Sequence, residues 1–263
     1  MSYNIPQENR QSASLILSSN LITKQRNSLI GLERIVYPLL EQITPTHPFN
    51  GIHRTRDDVV PNAVILAHKA GIVLDNLYVL TAAAILHGAG HTERYLGHKE
   101  VSARLAKELL PYLGFKEDEI TEVQQIINAT KGIVSEGGKR LQNPKRYDVL
   151  QMLMCDANLG NVGNYFLSAG LALLREYEIK YNEGKMPVDY NLPKDEKEFL
   201  IRQLRFIVDH KWFTPQAEAL FNPDKQKNIV LVQGFLTDIE SGRRRNRSLD
   251  ELLALPAWEF CLI

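Results

Sequence analysis

The sequence predicts an all-α fold, a multi-helix bundle, on three observations. Apolar residues recur at helical spacing through most of the chain, no segment alternates with period two, and the breaks carry Gly, Pro and Asn. With 263 residues, 44% hydrophobic and 24% charged, the chain is long enough and apolar enough to bury a large core. One domain of eight or more helices is the simplest account. It divides into an N-terminal helical segment over 1–44, a central helical domain over 45–225, and a C-terminal helix with a basic tail over 226–263.

Each element follows from its local pattern. Residues 14 to 43 read as a helix or helix pair. The loop Thr44 to Gly51, "TPTHPFNG", then leads into a helix reaching Lys69 that starts or bends at Pro61. "NLYVLTAAAILHG" is the next helix, with Gly88 and Gly90 as its stops. Over 98–113, Val101, Leu105 and Leu109 form one apolar stripe. The following helix opens on Glu117, Asp118 and Glu119, where its dipole favours carboxylates, and buries Ile120, Val123 and Ile127. After the loop "KGIVSEGGKRLQNP", Pro144 opens a helix carrying "VLQMLMCDANLGNVG". Further helices are expected over 162–182, 194–210 and 214–239.

The totals also restrict function. Zero formal net charge argues against nucleic acid as the partner. The one basic cluster, "SGRRRNRS" (Ser241 to Ser248), reads as a solvated linker before it reads as a phosphate-binding arm. Two cysteines, Cys155 and Cys261, are too few for a disulfide framework. No apolar run approaches the roughly 20 residues that span a bilayer, and the polar start "MSYNIPQENRQSAS" lacks a signal-peptide core. A cytoplasmic protein without a membrane partner is expected; a homo-oligomer is compatible with the sequence.

The informative residues are polar groups on apolar helix faces. Val79, Ala83, His87 and His91 follow at i+4 and share a face if their helix persists that far. His53 lines up with Val60 and Val64. Asn158 lies in a row with Leu150, Met154, Val162 and Phe166, while Asp156 lies on the neighbouring row with Val149 and Leu153. A buried polar group without a partner costs roughly 1–3 kcal/mol, so each must be satisfied. Separate hydrogen bonds would do this; so would a shared divalent metal, whose common ligands are imidazole and carboxylate.

In these residues the chain resembles the HD-domain superfamily of metal-dependent phosphohydrolases. That family's pattern is a His, a His-Asp pair some thirty residues later, and a distant Asp. Here His53 precedes His87 by 34 positions, "CDANLGNVG" resembles the later helix, and "GHKEVSARLAKELLPYLGFKEDEITEVQQIINATK" resembles the stretch between. "LIRQLRFIVDHKWFTPQAEAL" is similar to a subgroup of small bacterial members. The resemblance covers residues 45 to 225. It implies metal ligands at His53, His87, Asp156 and Asn158, catalytic roles near a phosphate for His91 and His98, and phosphate contacts from Lys99 and Lys131. Two carboxylates of the pattern are missing: Gly88 stands where the pair has Asp, and Asn158 where the later helix has its acid.

Three functions follow. A degenerate HD-like protein would bind a nucleotide or phosphorylated small molecule, its divalent metal (Mn, Mg or Fe) weak or absent and its hydrolase activity weakened or lost. An active phosphohydrolase would use a rearranged site of His53, His87, His91 and Asp156. An architectural helical domain would engage an acidic partner through Arg243 to Arg247. His47, His68 and His210 read as structural or exposed.

Overall fold

The computed structural model describes residues 7–134, 140–187 and 190–255. Cys261, the first six residues of the polar N-terminus and the centre of the 131–144 loop lie outside them. The fold is all-α: α1 (Gln7–Asn20), α2 (Thr23–Ile43), α3 (Val60–Lys69), α4 (Leu74–Leu86), α5 (His98–Leu109), α6 (Glu117–Ala129), α7 (Val149–Asn158), α8 (Phe166–Asn182), α9 (Glu196–Asp209), α10 (Pro215–Glu240) and α11 (Leu249–Ala254). Short π and 3-10 turns join several of them. No helix among the described residues is long and apolar enough to cross a membrane.

The chain divides into two units where a single domain was expected. The first holds the described residues up to Gly160 together with Phe213–Ala217; the second holds Asn161–Trp212 and the described residues from Glu218 on. The expected boundaries at 44 and 225 therefore do not mark units: α1 and α2 belong with α3 to α7, α1 packing on α3 and α2 on α4.

In the first unit the central layer is α4, whose residues from Leu77 to Leu86 are all buried. A helix apolar on every side needs neighbours all round, and α2, α3, α5, α6 and α7 supply them. Ile120, Val123 and Ile127 of α6 are buried as their spacing predicts. For α5 the predicted stripe is displaced. Val101, Leu105 and Leu109 lie half-buried, and the inward face is Lys99, Ser102, Ala103 and Ala106. The small residues face in because α5 approaches its neighbours closely.

Two further expectations are corrected. Pro144 does not open α7; the helix begins at Val149, where the Asp148 carboxylate accepts the Gln151 N–H as an N-cap. The loop before it carries a short antiparallel hairpin, β1 (Gly132–Val134) and β2 (Arg140–Gln142), with Ile133 opposite Leu141. Three-residue strands are too short for an alternating pattern to show.

In the second unit the fully buried Glu196 carboxylate accepts from the Arg244 guanidinium at 2.7 Å and from Arg247 at 3.3 Å. Arg243 pairs with Asp238, and Arg245 with Glu251. Each of these arginines is thus ion-paired within its own unit, Arg244 and Arg247 sharing one carboxylate.

Candidate functional site: a buried cluster of imidazoles and Lys99

The site grows from the end of α4. Helix geometry stops at Leu86, His87 is the C-cap, and a 3-10 turn covers Ala89–Thr92. His87 and His91 therefore do not continue one helix face. The freed carbonyl of His87 is satisfied from across the unit: Lys99 Nζ donates to it at 3.0 Å and Ser102 Oγ at 3.1 Å. Ser102 Oγ in turn accepts the Gly90 N–H at 2.8 Å. This contact requires glycine at position 90, because a Cβ there would meet the His98 carbonyl oxygen at 1.9 Å. Gly90→Ala should therefore force α5 off the turn and destabilise the protein by about 2–3 kcal/mol. Gly88→Ala, whose Cβ would meet only Thr55 Oγ1 at 3.2 Å, should cost less. Thermal melts of the two variants check the ordering, and equal melting temperatures would refute the packing described.

His98, the first residue of α5, stacks on His91 with ring centroids 3.7 Å apart. His47 and Tyr95 complete the cluster, 5.7 and 5.6 Å from the His91 ring. Main-chain carbonyls accept from the ring nitrogens: Ala84 O from His87 Nδ1 at 2.7 Å, Tyr95 O from His98 Nδ1 at 3.0 Å, and Ile43 O from His47 Nδ1 at 3.2 Å. The His87 and His98 rings then present Nε2 as their unprotonated nitrogen, while His47 Nδ1 also lies 3.0 Å from the Thr46 hydroxyl. His91 Nδ1 is buried and has no hydrogen-bond partner among the described residues.

Burial holds the imidazoles of His87, His91 and His98 neutral. His87 and His91 lie well below the ordinary range, pushed down first by burial and then by the charge of Lys99 on His87 and by His98 and Lys99 on His91. His98 is pushed to about 3 by burial and the Lys99 charge. Lys99 itself falls to about 7, through burial first and the Arg54 charge second. Among the described residues its hydrogen bond goes to a carbonyl and no carboxylate partners it.

Arg54 forms the other wall. It lies in a π turn (Arg54–Val59) entering α3, closed by the Val60 N–H on Thr55 O. Its guanidinium pairs with buried Asp58, donates to the Asn158 carbonyl and covers the Phe49 ring. Neither Arg54 nor His47 was singled out in the sequence. "HRTRDD" held a signal for the first: two basic–acidic pairs at i, i+4 within a stretch followed by apolar residues.

The expected metal ligands do not assemble. His53 Nδ1 bonds Asp57 Oδ2 at 2.9 Å, in a network that Arg10 and Arg56 complete. Burial pushes Asp57 up, but its hydrogen bonds with Arg56 and His53 and the charges of Arg56 and Arg10 hold it below the usual carboxylate range. Asp156 faces the start of α10, its carboxylate accepting from Phe213 N, Thr214 N and Thr214 Oγ1 at 2.9, 2.9 and 2.6 Å. Asn158 enters through its carbonyl, on Arg54. Among the described residues no group of three or more His, Cys, Asp or Glu side chains is placed to hold a metal ion. The donors at the cluster do not fit a divalent cation either, because Lys99 and Arg54 put positive charge beside the imidazoles while the acids are engaged elsewhere.

Of the remaining expected residues, His91, His98 and Lys99 do come together around His87. Lys131 does not: it pairs at the surface with Glu100 at 2.5 Å. No protein-family model, curated protein or solved structure matches this chain.

Proposed function

We propose that the chain is an HD-like helical protein that binds the phosphoryl group of a nucleotide or other phosphorylated small molecule at the Lys99 cluster, with hydrolysis weakened or lost. The observation that carries this is Lys99, a buried amine lacking a carboxylate partner among the described residues, with Arg54 within electrostatic reach. A buried charge needs a counter-charge, and a phosphate supplies one. Its approach would favour protonation of Lys99 and of the neighbouring imidazoles, so binding takes up protons at neutral pH. Proton transfer by His91 or His98 onto a leaving group would need an activated water as well, and the carboxylates that could orient one are committed to Arg10, Arg54, Arg56 and Thr214.

The test is a thermal shift with ATP and inorganic phosphate on the wild type and on Lys99→Met, which keeps the stem and removes the charge. Saturating ligand should stabilise the wild type by about 2–3 kcal/mol at a hundredfold excess over its dissociation constant. The variant should gain markedly less than the wild type while remaining folded. Equal shifts in both proteins would refute the reading, as would Mn²⁺- or Mg²⁺-dependent turnover of a phosphodiester that His87→Ala abolishes.

A further inference from the structure

A different feature, in the second unit, carries an inference independent of the Lys99 cluster. A cavity of about 450 Å³ is lined by Arg244, Arg245, Arg247, Glu251, Ala254 and Leu255. Its volume falls in the range of small-molecule sites, about 300–1,000 Å³. Its charge is unbalanced, because one buried carboxylate, Glu196, serves two of the guanidiniums. Arg244 donates to Glu196 Oε1 through Nε and Nη2, and Arg247 donates to the same oxygen through Nη1. The Arg245–Glu251 pair takes the other carboxylate, so the three lining guanidiniums are paired with two carboxylates. Glu196 also fixes the geometry, for Arg244 is clamped between that carboxylate and the face of the Phe235 ring, 4.3 Å from its centroid.

A guanidinium carries five N–H donors. Arg244 spends two of its side-chain N–H positions on Glu196 and Arg247 spends one, which leaves forked donors on two pre-positioned guanidiniums. Such forks match the oxygens of a phosphoryl group. Ala254 and Leu255 give the same cavity an apolar wall. We propose that this cavity binds a small phosphate monoester, its phosphoryl group on Arg244 and Arg247, its apolar body against Ala254 and Leu255, and Arg245, 76% exposed, at the mouth.

Titration calorimetry with phenyl phosphate and inorganic phosphate, in buffer containing salt, tests this on the full chain. Phenyl phosphate should bind about tenfold more tightly than inorganic phosphate, because only it reaches the apolar wall. Arg247→Gln should weaken it by about tenfold or more, the loss of one charge-assisted fork. Arg245→Gln removes an exposed side chain whose partner Glu251 is itself exposed, so it leaves the fold intact and should weaken binding about threefold. Lys99→Met should leave phenyl phosphate binding at this cavity unchanged, which separates the site from the Lys99 cluster. Equal affinity of wild type and both arginine variants would overturn the proposal, as would loss of all phenyl phosphate binding in Lys99→Met.

Discussion

Lowering the pH from 7 to 4 should unfold the first unit, with the melting temperature falling most steeply below pH 6.5. The cause is the neutral imidazole cluster. Between about pH 6.5 and 3 an unfolded chain carries a proton on His98 that the folded chain, with His98 pushed to about 3, does not. The unfolded state binds more protons in that window, so stability falls as the pH falls through it. His98 alone accounts for about 3–5 kcal/mol across the full window, and His87 and His91, shifted in the same direction by burial, add to it. Whole domains are stable by only about 5–15 kcal/mol. Asp156 works in the other sense: burial pushes it up to about 6, so between pH 6 and 3.8 the folded protein takes up a proton first and is relatively stabilised. One carboxylate offsets part of what three imidazoles remove. Melting curves from pH 7 to 4 check the prediction, and His98→Gln should flatten the profile. A melting temperature constant over that range would contradict the burial and neutrality of the cluster.

The cluster also marks the boundary of what the sequence made legible. Helix positions were readable from apolar runs and spacing: α4 lies in its apolar run and α6 buries its predicted stripe, while α5 turns a different face inward. His87 and His91 read as polar groups on an apolar face, His98 and Lys99 enter only through the family resemblance, and the structure brings the four together. Their partners were not readable. The turn after Leu86 breaks the i+4 row that seemed to join His87 to His91, and only then does the His87 carbonyl become free for Lys99. That contact depends on Gly90 admitting the backbone of α5, a three-dimensional fact that "HGAGH" does not spell. The division into two units was hidden for a related reason. The short segment Phe213–Ala217 belongs with residues far earlier in the chain, and nothing in the composition of "FTPQA" distinguishes it from the residues on either side.

Asp156 bonds that segment to α7, and Asp156→Ala should be among the most destabilising single substitutions in the chain. Its carboxylate is 1% exposed and accepts three hydrogen bonds from Phe213 and Thr214. Thr214 Oγ1 meanwhile accepts the Ala217 N–H and caps α10. Removing the carboxylate leaves two main-chain N–H groups and a hydroxyl without their acceptor and loosens the residue that caps the helix. Hydrogen bonds to a charged group contribute about 1.5–3 kcal/mol, and a buried donor left unpaired costs about 1–3 kcal/mol, so a loss of about 3–5 kcal/mol is expected. Asp156→Asn keeps one acceptor oxygen but turns an amide N–H₂ toward donors, so it should recover only part of that loss. Denaturant unfolding gives the magnitudes. Amide exchange at Phe213 and Thr214 gives the location, since both should lose protection before the α4 core does. A further consequence separates this role from metal ligation. With Asp156 neutralised, the protonation that partly offsets the imidazoles is gone, and Asp156→Asn should become more acid-sensitive between pH 6 and 4 than the wild type. A structural anchor predicts that steepening without any added ion, whereas a residue acting only through a bound metal would leave the slope of the metal-free protein unchanged.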